Sequence, residues 1–188
     1  MQLLRFASYR RMPWKNGGGI TREIAAFPEG ADLADFEWRI SMADVASDGP
    51  FSRFEGVDRT LCVLEGSIEL TLQGGKAVVL DPNSAPLGFP ADEDVVARLP
   101  GGPVRDFNVM TRRKAAKHRV ESLEINGKTV LNREAKTLAI VCASGTVALS
   151  GSGGEANLEA LDCLLFDRDS VDSVHAEGRG KLIVARIL

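Results

Sequence analysis

The segment of residues 12–24 brings a large aromatic, a cation and an amide together directly before three glycines. These side chains are Trp14, Lys15 and Asn16. Glycine lets a backbone approach a ligand closely, and polar groups beside an aromatic are typical of small-ligand pockets. A tight loop with a tucked tryptophan explains the segment equally well. A phosphate cradle does not, because the Walker spacing and a following helix are missing and a strand is predicted from Thr21.

Two further segments carry polar residues at a spacing of two. Arg39 and Ser41 share one strand face, and Asp106 and Asn108 share another, because side chains alternate along a strand. If these faces line a lumen, they form a pocket for a ligand that carries a carboxylate or an amide. A structural salt-bridge network between Arg39 or Arg59 and Asp106 is an equally good interpretation.

Metal chemistry is not favoured by the histidines. The chain has only two, His118 and His175, and neither belongs to a His-x-His pair or has a nearby acidic partner. Structural and catalytic metal sites require stricter ligand spacing than this. The sequence therefore predicts no bound metal and no other cofactor, and a dioxygenase-like mechanism is disfavoured.

The three cysteines read as buried, reduced thiols. Cys62, Cys142 and Cys163 each lie within an apolar run, and their number is odd. None has a base or a cluster of positive charge nearby in the sequence, as a reactive thiolate would require. We therefore interpret them as structural.

The charge and composition of the chain limit the classes of partner that we expect it to bind. The 188 residues carry a net charge of −3 with scattered basic residues, so no nucleic-acid or anionic-membrane footprint is present. The first residues do not resemble a signal peptide, and no later apolar run is long enough to span a membrane. These features predict a cytoplasmic protein whose partners are small metabolites.

The elements that must position these residues are strands. Apolar and polar residues alternate over 36–43, which indicates a strand with one buried face. Short strands separated by glycine and proline turns are typical of an all-β sandwich or barrel. Further strands are predicted at 59–64, 67–72, 76–80, 94–99, 104–110, 136–142, 145–149, 161–166 and 181–187.

The two halves of the chain resemble each other. Residues 60–64 compare with 137–141, and 96–99 compare with 184–187. This pattern indicates an internal duplication, although apolar strand patterns also match by chance. The basic triplet at 112–114 is the best candidate for the linker, or else is simply a solvated surface.

Taken in order, these segments resemble the HutD/Ves family over roughly residues 10–115. The opening motif Pro-Trp-Lys-Asn-Gly-Gly-Gly-x-Thr-x-Glu-Ile occurs at residues 13–24. Further matching motifs lie at 38–41, 48–52, 57–59, 64–66, 106–110 and 112–113. The resemblance implies a bicupin, with cupin-like jelly-roll domains at 1–115 and 116–188, the second being degenerate. It also implies a link to histidine utilisation or to stress, since some members are encoded with histidine-utilisation enzymes and others are described as stress-induced.

Our leading hypothesis is a non-enzymatic binding or regulatory module that holds a small polar carboxylate in the N-terminal domain. An acylated amino acid or a urocanate-like acid would suit such a pocket. The candidate ligand-binding residues are Trp14, Lys15, Asn16, Thr21, Glu23, Arg39, Ser41, Arg59, Asp106 and Asn108.

Two alternatives stay open. One is a metal-independent isomerase, lyase or hydrolase in which Asp106, Glu23 or Lys15 acts as the acid or base. The other is a structural or interaction protein that forms a homodimer and whose polar strand faces only stabilise the fold.

Overall fold

The structure is a computed structural model that describes residues 1–132, 134–151, 153–166 and 173–188. Strands make up 63% of the structure, and the one helix of the described residues is a 3-10 turn at Phe6–Ser8. The all-β class predicted from the period-two pattern is therefore confirmed. None of the described helical structure is long and apolar enough to cross a membrane.

Sixteen strands follow one another along the described chain, and every pairing is antiparallel. The first eleven are β1 (Gln2–Leu4), β2 (Arg10–Pro13), β3 (Gly19–Phe27), β4 (Trp38–Val45), β5 (Gly49–Pro50), β6 (Val57–Glu65), β7 (Ile68–Thr71), β8 (Ala77–Leu80), β9 (Leu87–Pro90), β10 (Val96–Arg98) and β11 (Val104–Arg112). The remaining five are β12 (His118–Asn132), β13 (Thr137–Gly151), β14 (Gly154–Leu158), β15 (Cys163–Phe166) and β16 (Ser173–Ile187).

The chain forms two compact units. The N-terminal unit is Arg10–Lys117, and the C-terminal unit combines Met1–Tyr9 with His118–Leu188. Sequence analysis placed the first nine residues in the N-terminal domain, whereas the structure groups them with the C-terminal strands because β1 pairs with β15. That either part folds by itself stays a prediction.

A salt bridge and a buried phenol hold these first residues in the C-terminal unit. Arg5 donates to the buried Asp162 carboxylate at 2.6 Å, and the Tyr9 hydroxyl donates to the Leu161 carbonyl oxygen at 2.7 Å. Neither tie is local in sequence. The sequence patterns used for the domain boundary therefore contained no sign of them.

The N-terminal unit is a sandwich of two sheets. One sheet has the order β2-β3-β4-β11-β6-β9, and the other has the order β5-β10-β7-β8. Leu61 and Val63 of the first sheet join Ile68, Leu70 and Ala97 of the second in one apolar core. The sheets are not closed into a barrel, so the jelly-roll sandwich among the sequence expectations is the form adopted.

Glycines mark the middle of the long strands in the C-terminal unit, whose sheet has the order β1-β15-β13-β16-β12 with β14 beside β13. Gly145 lies opposite Gly180, and Gly127 lies opposite Gly178. A Cβ atom on Gly180 would overlap the Ser144 carbonyl oxygen. The strands approach too closely for a side chain there, so glycine is required by close backbone contact.

The strands predicted separately at 136–142 and 145–149 are one strand, β13, in the structure. Its pairing register with β16 shifts between Cys142 and Ser144. A β-bulge of this kind bends a strand without ending it. The sequence showed a break in the pattern, and the structure shows that the break is a bulge.

The segments that matched between the two halves do not occupy equivalent places. Residues 60–64 and 96–99 fall in different sheets of the N-terminal unit, whereas 137–141 and 184–187 lie on the adjacent strands β13 and β16. The similarity at these segments therefore reflects a shared apolar strand pattern and does not align equivalent strands.

All three cysteines are buried thiols that form no disulfide with a described residue. Burial, with a smaller effect of Asp162, raises the pKa of Cys142 to about 11 and that of Cys163 to about 12. Both side chains are therefore neutral thiols at pH 7, which agrees with their interpretation as structural residues.

The glycine contact predicts a stability effect. Replacing Gly180 with Ala should lower the free energy of unfolding by about 2 kcal/mol, as overpacking against a backbone atom does. Gly101 is the control, because a Cβ there meets no atom within 4 Å. Denaturant unfolding of both variants measures the difference, and equal losses would contradict the close-contact explanation.

Candidate functional site

Polar side chains from four neighbouring strands converge on one face of the larger N-terminal sheet. Pairing places Asn108 of β11 opposite Ser41 of β4, and Met110 of β11 opposite both Arg39 of β4 and Arg59 of β6. Residues opposite one another on paired strands point to the same face. The register thus brings together side chains that are up to 69 positions apart in the chain (108 − 39 = 69).

This face forms the floor of a cavity of about 670 Å³. The volume is within the range of small-molecule sites. Every candidate residue named from the sequence lines the cavity except Glu23. The other lining residues are Met12, Pro13, Leu33, Ala43, Val45, Ser47, Asp48, Gly49, Pro50, Phe51, Ser52, Phe54, Ala97 and Met110.

Three buried polar atoms of this floor have no hydrogen-bond partner. They are Nη2 of Arg39, Nε of Arg59 and Oδ1 of Asn108. A buried polar group without a partner costs about 1–3 kcal/mol, so native proteins keep few of them. All three belong to residues that line the cavity, and no partner for them is present among the described residues, so a ligand is a candidate partner for two donors and one acceptor.

Arg59 is a buried cation without a carboxylate partner among the described residues. Its guanidinium carbon lies 5.3 Å, 5.4 Å and 5.9 Å from the ring centres of Phe51, Phe54 and Phe89. The hydrogen bond that Nη2 of Arg59 donates to the Ser52 carbonyl oxygen is long, at 3.4 Å. Burial lowers the pKa of Arg59 to about 10, which still leaves the side chain charged at neutral pH.

Asp106 lies deep in the cavity. It is 1% exposed, and its Oδ1 accepts a hydrogen bond of 2.5 Å from Nδ2 of Asn108. Burial raises the pKa of Asp106 to about 7, although Arg59 and the bond from Asn108 act to lower it. The salt-bridge network expected as the alternative is absent among the described residues, because Asp106 pairs with an amide and Arg39 pairs elsewhere.

Arg39 pairs with Glu23. The Nε atom of Arg39 donates to Oε2 of Glu23 at 2.7 Å, and both side chains are largely buried. Arg10 lies 3.8 Å from the other oxygen of Glu23 but is 67% exposed. Glu23 was named as a ligand-binding candidate. In the structure it contacts Arg39 but does not itself line the cavity.

The glycine-rich segment forms a tight loop that also borders the cavity. Nε1 of Trp14 donates to Oγ1 of Thr21 at 2.8 Å, and Oδ1 of Asn16 accepts from the Gly18 amide at 3.0 Å. A Cβ on Gly19 would lie 3.1 Å from the Trp14 ring. The interpretation as a tight loop and the interpretation as part of a pocket are therefore compatible, because the tucked Trp14 is also part of the cavity wall. Lys15 is exposed beside it.

The structure adds apolar residues that sequence reasoning missed. Met110 continues the period of two from Asp106 and Asn108, so this signal was present. Phe51 belongs to the matched motif at 48–52, but nothing in that motif indicated a contact with Arg59. Leu33 lies in a loop and is 50% exposed, and no pattern pointed to it.

The two histidines lie outside this cavity. His118 is in β12 and His175 is in β16, both in the C-terminal unit. In the part of the chain that the structure describes, no three His, Cys, Asp or Glu side chains are grouped so that they could hold a metal ion.

Comparison with known proteins identifies the family. The family model described as HutD matches residues 6–184. The chain belongs to the HutD family. The resemblance noted in the sequence motifs is thereby confirmed, and it extends over nearly the whole chain.

Relatives of the HutD family agree in sequence and in structure. An uncharacterized 21.2 kDa protein in the hutC 3' region of Pseudomonas putida is 37% identical over 186 residues, covering 97% of this chain and 96% of the relative. Protein Ves of Citrobacter koseri is 40% identical over 122 residues, 62% of each chain. The solved structure of HutD from Pseudomonas fluorescens SBW25 has a TM-score of 0.85 at 33% identity, covering 100% of this chain and 98% of that one.

The fold is also that of cupins. A cupin 2 conserved barrel domain protein from Leptotrichia buccalis has a TM-score of 0.62 at 8% identity, covering 95% of this chain and 96% of that one. This likeness shows the fold alone. It agrees with the cupin-like architecture implied by the motifs.

Asp106 makes the stability of this HutD-family protein depend on pH. Its folded pKa of about 7 lies above the usual value of 3.8, so the folded state holds a proton that the unfolded state releases between these values. Stability should therefore fall by up to about 1.4 kcal/mol per pH unit as pH rises from about 4.5 to 7. The Asp106→Asn variant should lack this component.

Urea unfolding of both proteins at several pH values measures the difference. The gap in favour of the variant should widen up to pH 7 and then become constant. Asp92, whose pKa is lowered by Arg113, titrates below this window and is common to both proteins. Parallel stability curves for the two proteins would show that Asp106 is ionised throughout.

Proposed function

We propose that the N-terminal unit binds a small carboxylate metabolite in this cavity and that the protein acts as a binding or regulatory module. The observation that carries the proposal is the set of three unpartnered buried atoms, on Arg39, Arg59 and Asn108. A carboxylate supplies acceptors for both arginines, and charge-assisted bonds of this kind are the strong ones.

The third atom indicates the rest of the ligand. Oδ1 of Asn108 needs a donor, because its amide nitrogen is already used on Asp106. An N–H group beside the carboxylate would supply that donor. An N-acylated amino acid has both features, whereas a urocanate-like acid carries its N–H on a ring farther from the carboxylate. The names of the relatives, HutD and the hutC 3' region, support a link to histidine utilisation.

The apolar part of the cavity also suits a small metabolite. Trp14, Phe51, Phe54 and Met110 line it together with the polar floor. An apolar wall with a few converging polar groups is the usual form of a metabolite site. The ligand's carbon skeleton would lie against these side chains while its carboxylate meets the arginines.

Binding of N-acetylglycine, measured by calorimetry, tests this function. We expect binding by the wild-type protein and none of N-acetylglycine amide, which lacks the charge. Replacing Arg59 with Met should weaken the affinity by about a hundredfold, the effect of removing one member of a buried charged hydrogen bond.

The control variant is Arg105→Met. Arg105 lies on the same strand as Asp106 but pairs with Asp44 and does not line the cavity. Its loss should leave the affinity unchanged. If the wild-type protein shows no binding of N-acetylglycine, urocanate or related acids at millimolar concentration, the proposal is wrong.

Catalysis without a metal is the second candidate function, and Asp106 is the observation that favours it. A buried acid with a pKa near 7 and an orienting amide partner has the properties of a general acid or base. Of the other two residues considered, Lys15 is exposed and Glu23 does not line the cavity. Asp106 is therefore the one that the geometry favours.

NMR spectra of bound acids over several hours test this alternative. Turnover that stops in Asp106→Asn while binding persists would establish an enzyme. Unchanged ligand spectra with wild-type protein would favour the binding module.

We further propose that the protein acts in the cytoplasm and forms a homodimer, without nucleic-acid or membrane partners. The buried thiols of Cys142 and Cys163 support a reducing compartment. Light scattering after gel filtration measures the oligomeric state directly.

A further inference from the structure

Glu23 is tied to the cavity although it does not line it. Its Oε2 atom accepts the hydrogen bond from Nε of Arg39 at 2.7 Å. A guanidinium is a planar fork with fixed angles between its donors. A bond at Nε therefore also fixes the direction of Nη2, which is the atom of Arg39 that has no partner.

Glu23 lies directly before an irregularity in β3. Glu23 lies opposite Ser41, but Ala25 lies opposite Ile40, so the pairing shifts by one residue between them. A bulge re-aims the side chains beside it. In a regular ladder Ala25 would instead face Arg39, the residue that Glu23 now reaches diagonally.

Charge counting gives Glu23 a second role. The pair with Glu23 neutralises Arg39, and Arg10 contributes little because it is mostly solvated. Arg59 has no ion-pair partner among the described residues. Lys15 and Asp48 also line the cavity, but both are exposed and their charges are opposite, so with Asp106 protonated the cavity carries one unmatched positive charge.

We propose that Glu23 is a positioning residue that orients Arg39 and cancels its charge, so that the cavity selects a singly charged carboxylate over a doubly charged one. This inference rests on the proposed function and names the charge class of its ligand. A buried dianion would meet only one net positive charge and would lose the hydration of its second carboxylate.

The test compares N-acetylglycine, a monoanion, with N-acetylaspartate, a dianion, by calorimetry at pH 6.5. Wild-type protein should prefer the monoanion. Glu23→Gln keeps an oxygen that can accept from Arg39 but removes the charge, so the affinity ratio should move toward the dianion by about tenfold, as an added charge in a low-dielectric site does.

Glu23→Ala removes the acceptor as well. Arg39 is then no longer held, and we expect N-acetylglycine to bind at least tenfold more weakly than it does to Glu23→Gln. This rescue by the conservative variant distinguishes orientation from charge. If the alanine variant does not fold, the affinity ratio of Glu23→Gln alone decides the question.

Glu65→Gln is the matched control. Glu65 also accepts from an arginine of the same sheet, at 2.9 Å from Nη1 of Arg105, but it does not line the cavity or contact a lining arginine. Its loss should leave both affinities unchanged.

The outcomes separate the two claims. A wild-type protein that binds neither acid overturns the proposed function and this inference together. A wild-type protein that binds N-acetylglycine while Glu23→Gln keeps the wild-type ratio within twofold overturns only the role of Glu23.

Discussion

A buried guanidinium that forms no ion pair with any described residue is the constraint around which the N-terminal unit is arranged. Taking the charge of Arg59 out of water is costly, and a carboxylate partner would be the ordinary remedy. Three phenylalanine rings surround it instead. Cation–π contacts offset only part of the desolvation. The folded protein therefore carries a charge that an anion entering the cavity would stabilise.

Asn108 keeps that charge available. Its Nδ2 atom donates to Asp106, which favours the pairing of the acid with an amide and not with Arg59. An ion pair between Asp106 and Arg59 would have cancelled the positive potential of the floor. Because the acid is instead held near its neutral form by burial, the arginine remains the dominant charge that a ligand meets.

Much of this arrangement could be predicted from the sequence, because it depends on the alternation of side chains between the two faces of a strand. The alternation in 36–43 and in 104–110 was enough to place Arg39 with Ser41 and Asp106 with Asn108 on shared faces. That the two faces meet follows from the pairing of β4 with β11 in the structure. The family motifs predicted the cupin-like fold, which the structural comparison supports.

The features that could not be predicted depend on pairing between distant strands. Glu23 shares the strand face of Thr21 and lies opposite Ser41, but it pairs with Arg39 and does not line the cavity, and no sequence pattern indicated that pairing. The pairing of the first nine residues with C-terminal strands could not be predicted for a similar reason, since the bond between Arg5 and Asp162 joins positions far apart in the chain.

The same geometry bears on the choice between a binding site and an active site. A general acid works when its proton can reach the substrate, so its hydrogen bonds must be made or broken during the reaction. Oδ1 of Asp106 is already engaged by Asn108, and the backbone amide of Ala43 also bonds this carboxyl. These contacts hold Asp106 in place as part of the floor. The unpartnered atoms, by contrast, belong to two arginines and an amide, side chains that do not transfer protons at neutral pH and that are suited to recognising an anion.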